Sequence, residues 1–195
     1  RWLSDWSSDV CSSDLLDRAQ APPAAVALAA PVACCDAIAA LAALPARVKY
    51  PNDILLRERK AGGILLEQPP GTAVVLAGIG INVAQQPDDL PPPTHVPPTS
   101  LAIEAAPAPP PGRAPLLAAL IARLGALLHP AALPALPARM NALCDTIGRH
   151  VEVTTAGGTL AGVAICVADD GALVVRTDQG MQHAVYSGDI RQLRT

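Results

Sequence analysis

Lys49 and Lys60 are the only lysines in the chain, and both stand in short segments whose residue types suit the handling of an anion. The first segment is Lys49-Tyr50-Pro51-Asn52-Asp53, the second is Lys60-Ala61-Gly62-Gly63-Ile64-Leu65, and Gly78-Ile79-Gly80-Ile81-Asn82 follows. An ammonium beside two glycines lets another molecule come close to the backbone next to a fixed positive charge, an arrangement suited to an anionic oxygen. A solvated hairpin lysine has the same local sequence, because surface exposure is the default for that side chain. Asn52 and Asp53 are turn formers after a proline and are equally able to orient a polar ligand. Gly78-x-Gly80 lacks the third glycine and the following helix of a dinucleotide fingerprint. Glycines inside a strand instead mark a close approach, by a ligand or by a neighbouring element. Asn82 ends that strand with an amide that suits an adenine edge, a phosphate or a turn cap. His95, His129, His150 and His183 form no pair at metal-ligand spacing, and no G-x-S-x-G elbow is present.

The elements that must position these groups follow from periodicity and punctuation. Residues 24–28 read as a short strand, and Pro31 then opens a helix that runs to about Leu44. Residues 47–50 are extended, since Pro51 pushes its predecessor out of the helical region. Residues 54–56 and 63–67 read as strands around a charged connection at 57–60, and residues 74–83 as a buried strand. Pro-rich connections occupy 85–98 and 107–111. Between 114 and 129 the apolar residues at 116, 117, 120, 121, 124, 127 and 128 mark one helical face. After Asn141 the period changes to short strands separated by turns at Gly157-Gly158, Asp169-Asp170-Gly171, Asp178-Gln179-Gly180 and Ser187-Gly188-Asp189, the pattern of a small barrel. The boundary between the two patterns is placed near Cys144.

Composition narrows the function classes. The 195 residues are 51% hydrophobic and 16% charged, so the chain is expected to pack rather than to stay disordered. With two tryptophans, two tyrosines, no phenylalanine and a net charge of −3, it offers neither a stacking platform nor a basic face for nucleic acid. The uncharged stretch 19–35 is short and proline-interrupted for a membrane span, which predicts a soluble protein. Cys11, Cys34, Cys35, Cys144 and Cys166 show no C-x-x-C spacing and read as reduced cytoplasmic thiols. Residues 1–15 repeat a Ser-Ser-Asp theme without strand or helix periodicity, resemble translated sequencing-adapter text, and are expected to be foreign to the fold.

In order, K-[WY]-P-N-D, K-x-G-G-I-L-x-E and G-I-G-I-N resemble the bacterial biotin protein ligases, with Tyr50 at the commoner tryptophan position. The likeness continues in Thr99-Ser100-Leu101 and through Gly148, Val151, Gly162, residues 170–173, Gly180 and Ser187-Gly188. It implies an α+β fold, a core related to class II aminoacyl-tRNA synthetases followed by an SH3-like barrel. The expected organisation is a non-native segment at 1–15, a partial catalytic domain at 16–143 and the barrel at 144–195. The implied activity is that of a biotin--[acetyl-CoA-carboxylase] ligase. Biotin and ATP, with Mg²⁺, give biotinyl-5′-AMP, and the biotin passes to a lysine of a biotin carboxyl carrier protein.

By the same resemblance Lys60 contacts the biotin carboxylate and the α-phosphate. Lys60 and Asp53 are the implied catalytic residues, and Asp53 the implied Mg²⁺ ligand. Lys49, Asn52, Gly62, Gly63, Gly78, Gly80 and Asn82 are implied to line the site. Implied partners are the carrier and a second copy of the chain, in the cytoplasm and without membrane or nucleic acid. The family's arginine-glycine loop has no counterpart in these residues, so the chain as written is expected to be inactive. A lipoate-ligase-like enzyme and a non-catalytic carrier-docking remnant are the alternatives.

Overall fold

The computed structural model describes residues 12–17, 22–72, 74–93, 96–155, 158–186 and 189–192. Cys11, His95, Gly157, Ser187 and Gly188, considered above, lie outside them.

An alanine-rich run builds the central element. Helix α1 (Pro23–Ala42) begins with Pro23 in its first turn and ends where Ala43 takes a left-handed conformation. The expected strand at 24–28 is therefore wrong: these residues form the first turns of α1, and Pro31 lies inside the helix rather than at its start. An internal proline removes one helical hydrogen bond, a cost of about 3 kcal/mol that tertiary burial must offset. Burial here is nearly all-round, from Ala25 and Val26 through the run at 28–35 to Ala37 and Ile38. The helix is long and apolar enough to cross a membrane, but most of it is enclosed by the other elements, as a core helix is.

Two five-stranded antiparallel sheets complete the fold. The first has the order β1-β5-β4-β3-β2, from strands β1 (Ser12–Asp17), β2 (Ala46–Lys49), β3 (Asp53–Leu56), β4 (Arg59–Glu67) and β5 (Val74–Ile81). β1 pairs with β5 from Ser12↔Ile79 to Asp17↔Val74, so the end of the segment expected to be foreign forms a sheet edge. Its period-2 signal was absent because the run Ser-Ser-Asp-Leu-Leu-Asp does not alternate.

One face of this sheet buries Val48, Ile54, Leu56, Ile64 and Ile79 in the core that α1 centres. Against α1 also pack α3 (Arg113–Leu128) and α4 (Leu136–Leu143), the latter tied by Arg139 Nη2 to Asp36 Oδ2 at 2.6 Å. α3 buries Leu116, Leu120, Leu124, Leu127 and Leu128, whereas Ile121, assigned to the same face from periodicity, is exposed. Sequence reading did not identify α4 or the five-residue α2 (Leu101–Ala105).

Past Leu143, Cys144 bridges to Val48, and the second sheet follows in the order β10-β6-β7-β8-β9. Its strands are β6 (His150–Thr155), β7 (Gly158–Val167), β8 (Leu173–Arg176), β9 (Gln182–Val185) and β10 (Asp189–Gln192). It buries Val151, Val153, Ala164, Leu173 and Val175. Gly162 is required there, because a Cβ would lie 2.3 Å from the Arg176 carbonyl oxygen.

Candidate functional site

Register brings the three motif segments into one row. Lys49 of β2 faces Asp53 of β3, Asp53 faces Gly63 of β4, and Gly63 faces Gly80 of β5. Side chains alternate between the faces of a sheet, so this row lies on the face opposite the buried Ile54, Ile64 and Ile79. One step along, Leu65 faces Gly78, and Leu65 is 40% exposed. The outer face is thus floored by glycines at 63, 78 and 80, with two lysines and a carboxylate at one side.

Lys60 reaches that face through an irregularity. Ile54 pairs with Gly62 but Leu55 pairs with Lys60, leaving Ala61 as an extra residue on β4. Regular pairing would have set Lys60 opposite Leu56, on the buried face; the bulge turns it by one position onto the face of Asp53. Ala61 itself is fully buried, which suits a small side chain. The Lys60 ammonium sits 2.6 Å from Asp53 Oδ1, and Lys49 Nζ lies 3.9 Å from Asp53 Oδ2. Two ammonium groups around one carboxylate leave a net positive cluster, with the Lys60 side chain still 42% exposed. Its main chain is fixed on the other side too. Lys60 N–H donates to Pro97 O at 2.8 Å, and Thr99 N–H donates to Lys60 O at 2.8 Å.

Both asparagines serve main-chain positioning. Asn52 Nδ2 donates to Ile64 O at 2.8 Å while Ile64 N–H donates to Asn52 O at 2.9 Å. Asn82 Nδ2 donates to Thr99 O at 2.9 Å, and its own N–H donates to Ala61 O at 2.7 Å. The glycines divide by role. A Cβ on Gly62 would lie 2.5 Å from the Gly80 carbonyl oxygen, so a neighbouring strand demands that glycine. A Cβ on Gly78 would meet Leu65 only at 3.7–3.8 Å, an ordinary contact, so no protein atom excludes a side chain there.

Asp53 differs from its expected role as a Mg²⁺ ligand. Its oxygens face two ammonium groups, whose charge opposes a dication, and among the described residues no group of three or more potential metal ligands is present. That ion takes one or two carboxylates together with substrate phosphates, and Asp53 offers a single carboxylate already paired with two cations.

The roles of three groups went unrecognised in the sequence. Tyr50 is 4% exposed and extends its hydroxyl to the carbonyl oxygens of Gly171 (2.9 Å) and Val185 (3.1 Å) in the second sheet. Burial pushes that phenol up from an ordinary 10 to about 12. The others are Arg59 and Glu104, described further below; Glu104 is the only carboxylate between Asp89 and Arg113, a signal that could have flagged it. Among the described cysteines, Cys34, Cys35 and Cys144 are buried, unpaired thiols, and burial raises each of their pKa values.

A cleft of about 430 Å³ opens between α1, the end of β4 and the second sheet, bordered by Ala27, Pro31, Leu65, Glu67, Asp170 and Tyr186. Of the site residues chosen from sequence, only Asn52 borders it. Its lining holds carboxylates and no cation, so it would repel an anion; the Lys60 face is the better candidate for anion chemistry.

Residues 146–191 match the family described as "Biotin protein ligase C terminal domain". The chain is 36% identical over 177 residues to the biotin--[acetyl-CoA-carboxylase] ligase of Mycobacterium tuberculosis, a match covering 87% of this chain and 62% of that protein. It is 31% identical over 201 residues to the bifunctional ligase/repressor BirA of Bacillus subtilis, covering 95% of this chain and 57% of that protein. It therefore spans about three fifths of the length of these curated relatives. Among solved structures, the biotin protein ligase of Aquifex aeolicus in complex with biotin and ATP superposes with a TM-score of 0.79 at 21% identity, covering 95% of this chain and 78% of that one.

Proposed function

The chain belongs to the biotin protein ligase family, and on that premise we propose that its Lys60 face serves ATP-dependent activation of biotin and transfer of biotin to a carrier protein. In the first step a biotin carboxylate oxygen attacks the α-phosphorus of ATP. A P–O bond forms, pyrophosphate leaves, and biotinyl-5′-AMP results. In the second, the amine of a lysine on a biotin carboxyl carrier protein attacks the acyl carbon, an amide forms, AMP leaves and a proton is released.

One observation carries the reading: a lysine fixed on both main-chain sides is turned by a bulge onto a glycine-floored face, where its side chain stays 42% exposed. Attack of a carboxylate on an anionic phosphate brings like charges together, so a positioned cation lowers both that repulsion and the charge that develops in the transition state. Lys60 is the residue assigned to this work, with Lys49 adding a second positive charge. Asp53 holds the ammonium in place until a substrate anion takes over the contact. Gly63, Gly78 and Gly80 admit the ligand to the backbone, and Asn52 and Asn82 hold the strands and loop that frame it. Buried thiols at Cys34, Cys35 and Cys144 fit a reducing cytoplasm.

Biotin-dependent exchange of pyrophosphate into ATP tests the activation step, with lipoate in place of biotin as the competing substrate. Removing one preorganised electrostatic partner costs about 2.7–4 kcal/mol of barrier, so Lys60→Gln is expected to lower the exchange rate by about 10²–10³-fold. Its urea midpoint should barely move, because the side chain is partly exposed and its ion pair contributes little there. Near-normal exchange by the variant, or exchange driven by lipoate alone, would overturn the assignment.

A further inference from the structure

Glu104 is 7% exposed and lies on α2, away from the glycine-floored face, yet each of its recorded side-chain partners belongs to a segment that holds Lys60. Thr99 Oγ1 donates to Glu104 Oε1 at 2.6 Å. Arg59, adjacent to Lys60, places Nη1 3.4 Å from the same oxygen and donates from Nη2 to Pro98 O at 2.9 Å. Arg57 Nε lies 3.6 Å from Oε2. The carboxylate thus ties the β3–β4 hairpin to residues 97–99, the segment that pairs with the Lys60 main chain through Pro97 O and Thr99 N. Asn82 closes the circuit, since its amide donates to Thr99 O and its N–H to Ala61 O.

Burying a carboxylate costs free energy unless charged and hydrogen-bonding groups offset it, and hydrophobic packing of α2 would not require one. What the carboxylate supplies that packing would not is direction, because charge-assisted contacts fix the hairpin and loop relative to each other.

We infer that Glu104 is a positioning residue for Lys60: through Thr99 and Arg59 it clamps residues 97–99 onto the lysine's strand and so sets where the ammonium sits on the outer face. The inference rests on the reading of Lys60 as the activating cation. Its predicted signature is loss of turnover rather than of binding, since a misplaced ammonium still attracts an anion but no longer tracks the transition state.

The test follows biotin-dependent pyrophosphate exchange together with amide hydrogen exchange at Lys60 and Thr99, in the full chain and in Glu104→Ala, Glu104→Gln, Thr99→Val and Thr99→Ser variants. Glu104→Ala and Thr99→Val should lower kcat at least tenfold with KM values for biotin and ATP within about twofold. They should also speed hydrogen exchange at the two amides at least tenfold while amides of β6 and β7 keep their protection. Glu104→Gln and Thr99→Ser, which preserve the hydroxyl-to-oxygen contact, should recover most of both. Unchanged kcat in Glu104→Ala, or a loss shared equally by the conservative variants, would overturn the inference. Should the unaltered chain show no exchange of pyrophosphate, the outcome expected of residues that lack the arginine-glycine loop, the kinetic comparison falls away. The clamp is then decided by the amides: localised loss of protection supports it, and unchanged protection overturns it.

Discussion

Two glycines separated by one strand face illustrate how residue identity divides between fold and ligand. Gly62 faces the carbonyl of Gly80 so closely that Gly62→Ala must displace backbone, and overpacking of this kind costs about 1–3 kcal/mol. Gly78 meets nothing closer than ordinary contact, so Gly78→Ala should leave the urea midpoint within about 0.5 kcal/mol of the parent. The methyl of the second variant projects onto the open face beside Leu65, where it should weaken biotin or ATP binding severalfold by titration calorimetry. Reversed outcomes, with Gly62→Ala stable and Gly78→Ala unfolded, would assign the wrong glycine to the ligand. Both residues stood out in the sequence, Gly62 as one of two glycines following Lys60 and Gly78 as a glycine within a strand, and neither spacing nor composition could separate their roles. The distinction depends on a carbonyl brought close by strand register, which local pattern does not encode.

The β3–β4 hairpin shows the same division one level up. Its turn, Arg57-Glu58, has φ values of +47° and +64°, the left-handed pair that a two-residue hairpin requires and that glycine and asparagine adopt most readily. A non-glycine residue in that region costs about 1–2 kcal/mol. Glu58→Gly should therefore raise stability by about 0.5–1 kcal/mol in urea unfolding. The ion pair it gives up, Arg149 Nη2 to Glu58 Oε1 at 3.3 Å, is exposed and contributes little. Glu58→Ala loses the same pair without relieving the backbone, so it should fall below the parent; equal stability of the two variants would show that the turn stores no strain.

The hairpin was legible in sequence as two apolar runs around a charged connection, but the bulge at Ala61 was not, since an extra residue leaves the apolar pattern nearly intact. α1 was misread for the opposite reason. Buried on nearly every side, it carries no amphipathic period, and Pro31 looked like a helix start where tertiary burial in fact overrides the local preference. α2 and α4 were missed because short helices flanked by prolines present too few turns to show a period. The three motif segments, which strand register brings into one row, were the most legible feature of the candidate site.

At the scale of the whole molecule, the site segment and the second sheet are built into one another. Tyr50 stands between Lys49 and Asn52, yet its N–H donates to Thr146 Oγ1 at 3.0 Å and its hydroxyl reaches carbonyls 121 and 135 residues further on. A single aromatic therefore joins the lysine-bearing strand to the family-matched C-terminal segment. Tyr50→Phe removes the hydroxyl and leaves buried carbonyls less well satisfied, at a cost of about 1–3 kcal/mol.

The pH dependence carries a sharper signature. In the unfolded chain the phenol ionises near 10, whereas burial keeps it protonated to about 12 in the fold. Between those values the folded state binds more protons than the unfolded state, so stability falls as pH rises; below 10 the contribution of Tyr50 is wholly present. Cys34 and Cys35, raised by burial from an ordinary 9, act in the same direction and begin earlier, so the parent curve should decline from about pH 9. Tyr50→Phe keeps the thiol part and loses the phenol part. Urea midpoints measured from pH 8 to 12 should therefore fall less steeply above pH 10 in the variant than in the parent, and the two curves should draw together near pH 12. Curves that stay parallel throughout would mean that Tyr50 ionises in the fold as it does in the unfolded chain, and that its hydroxyl is not held between the two sheets.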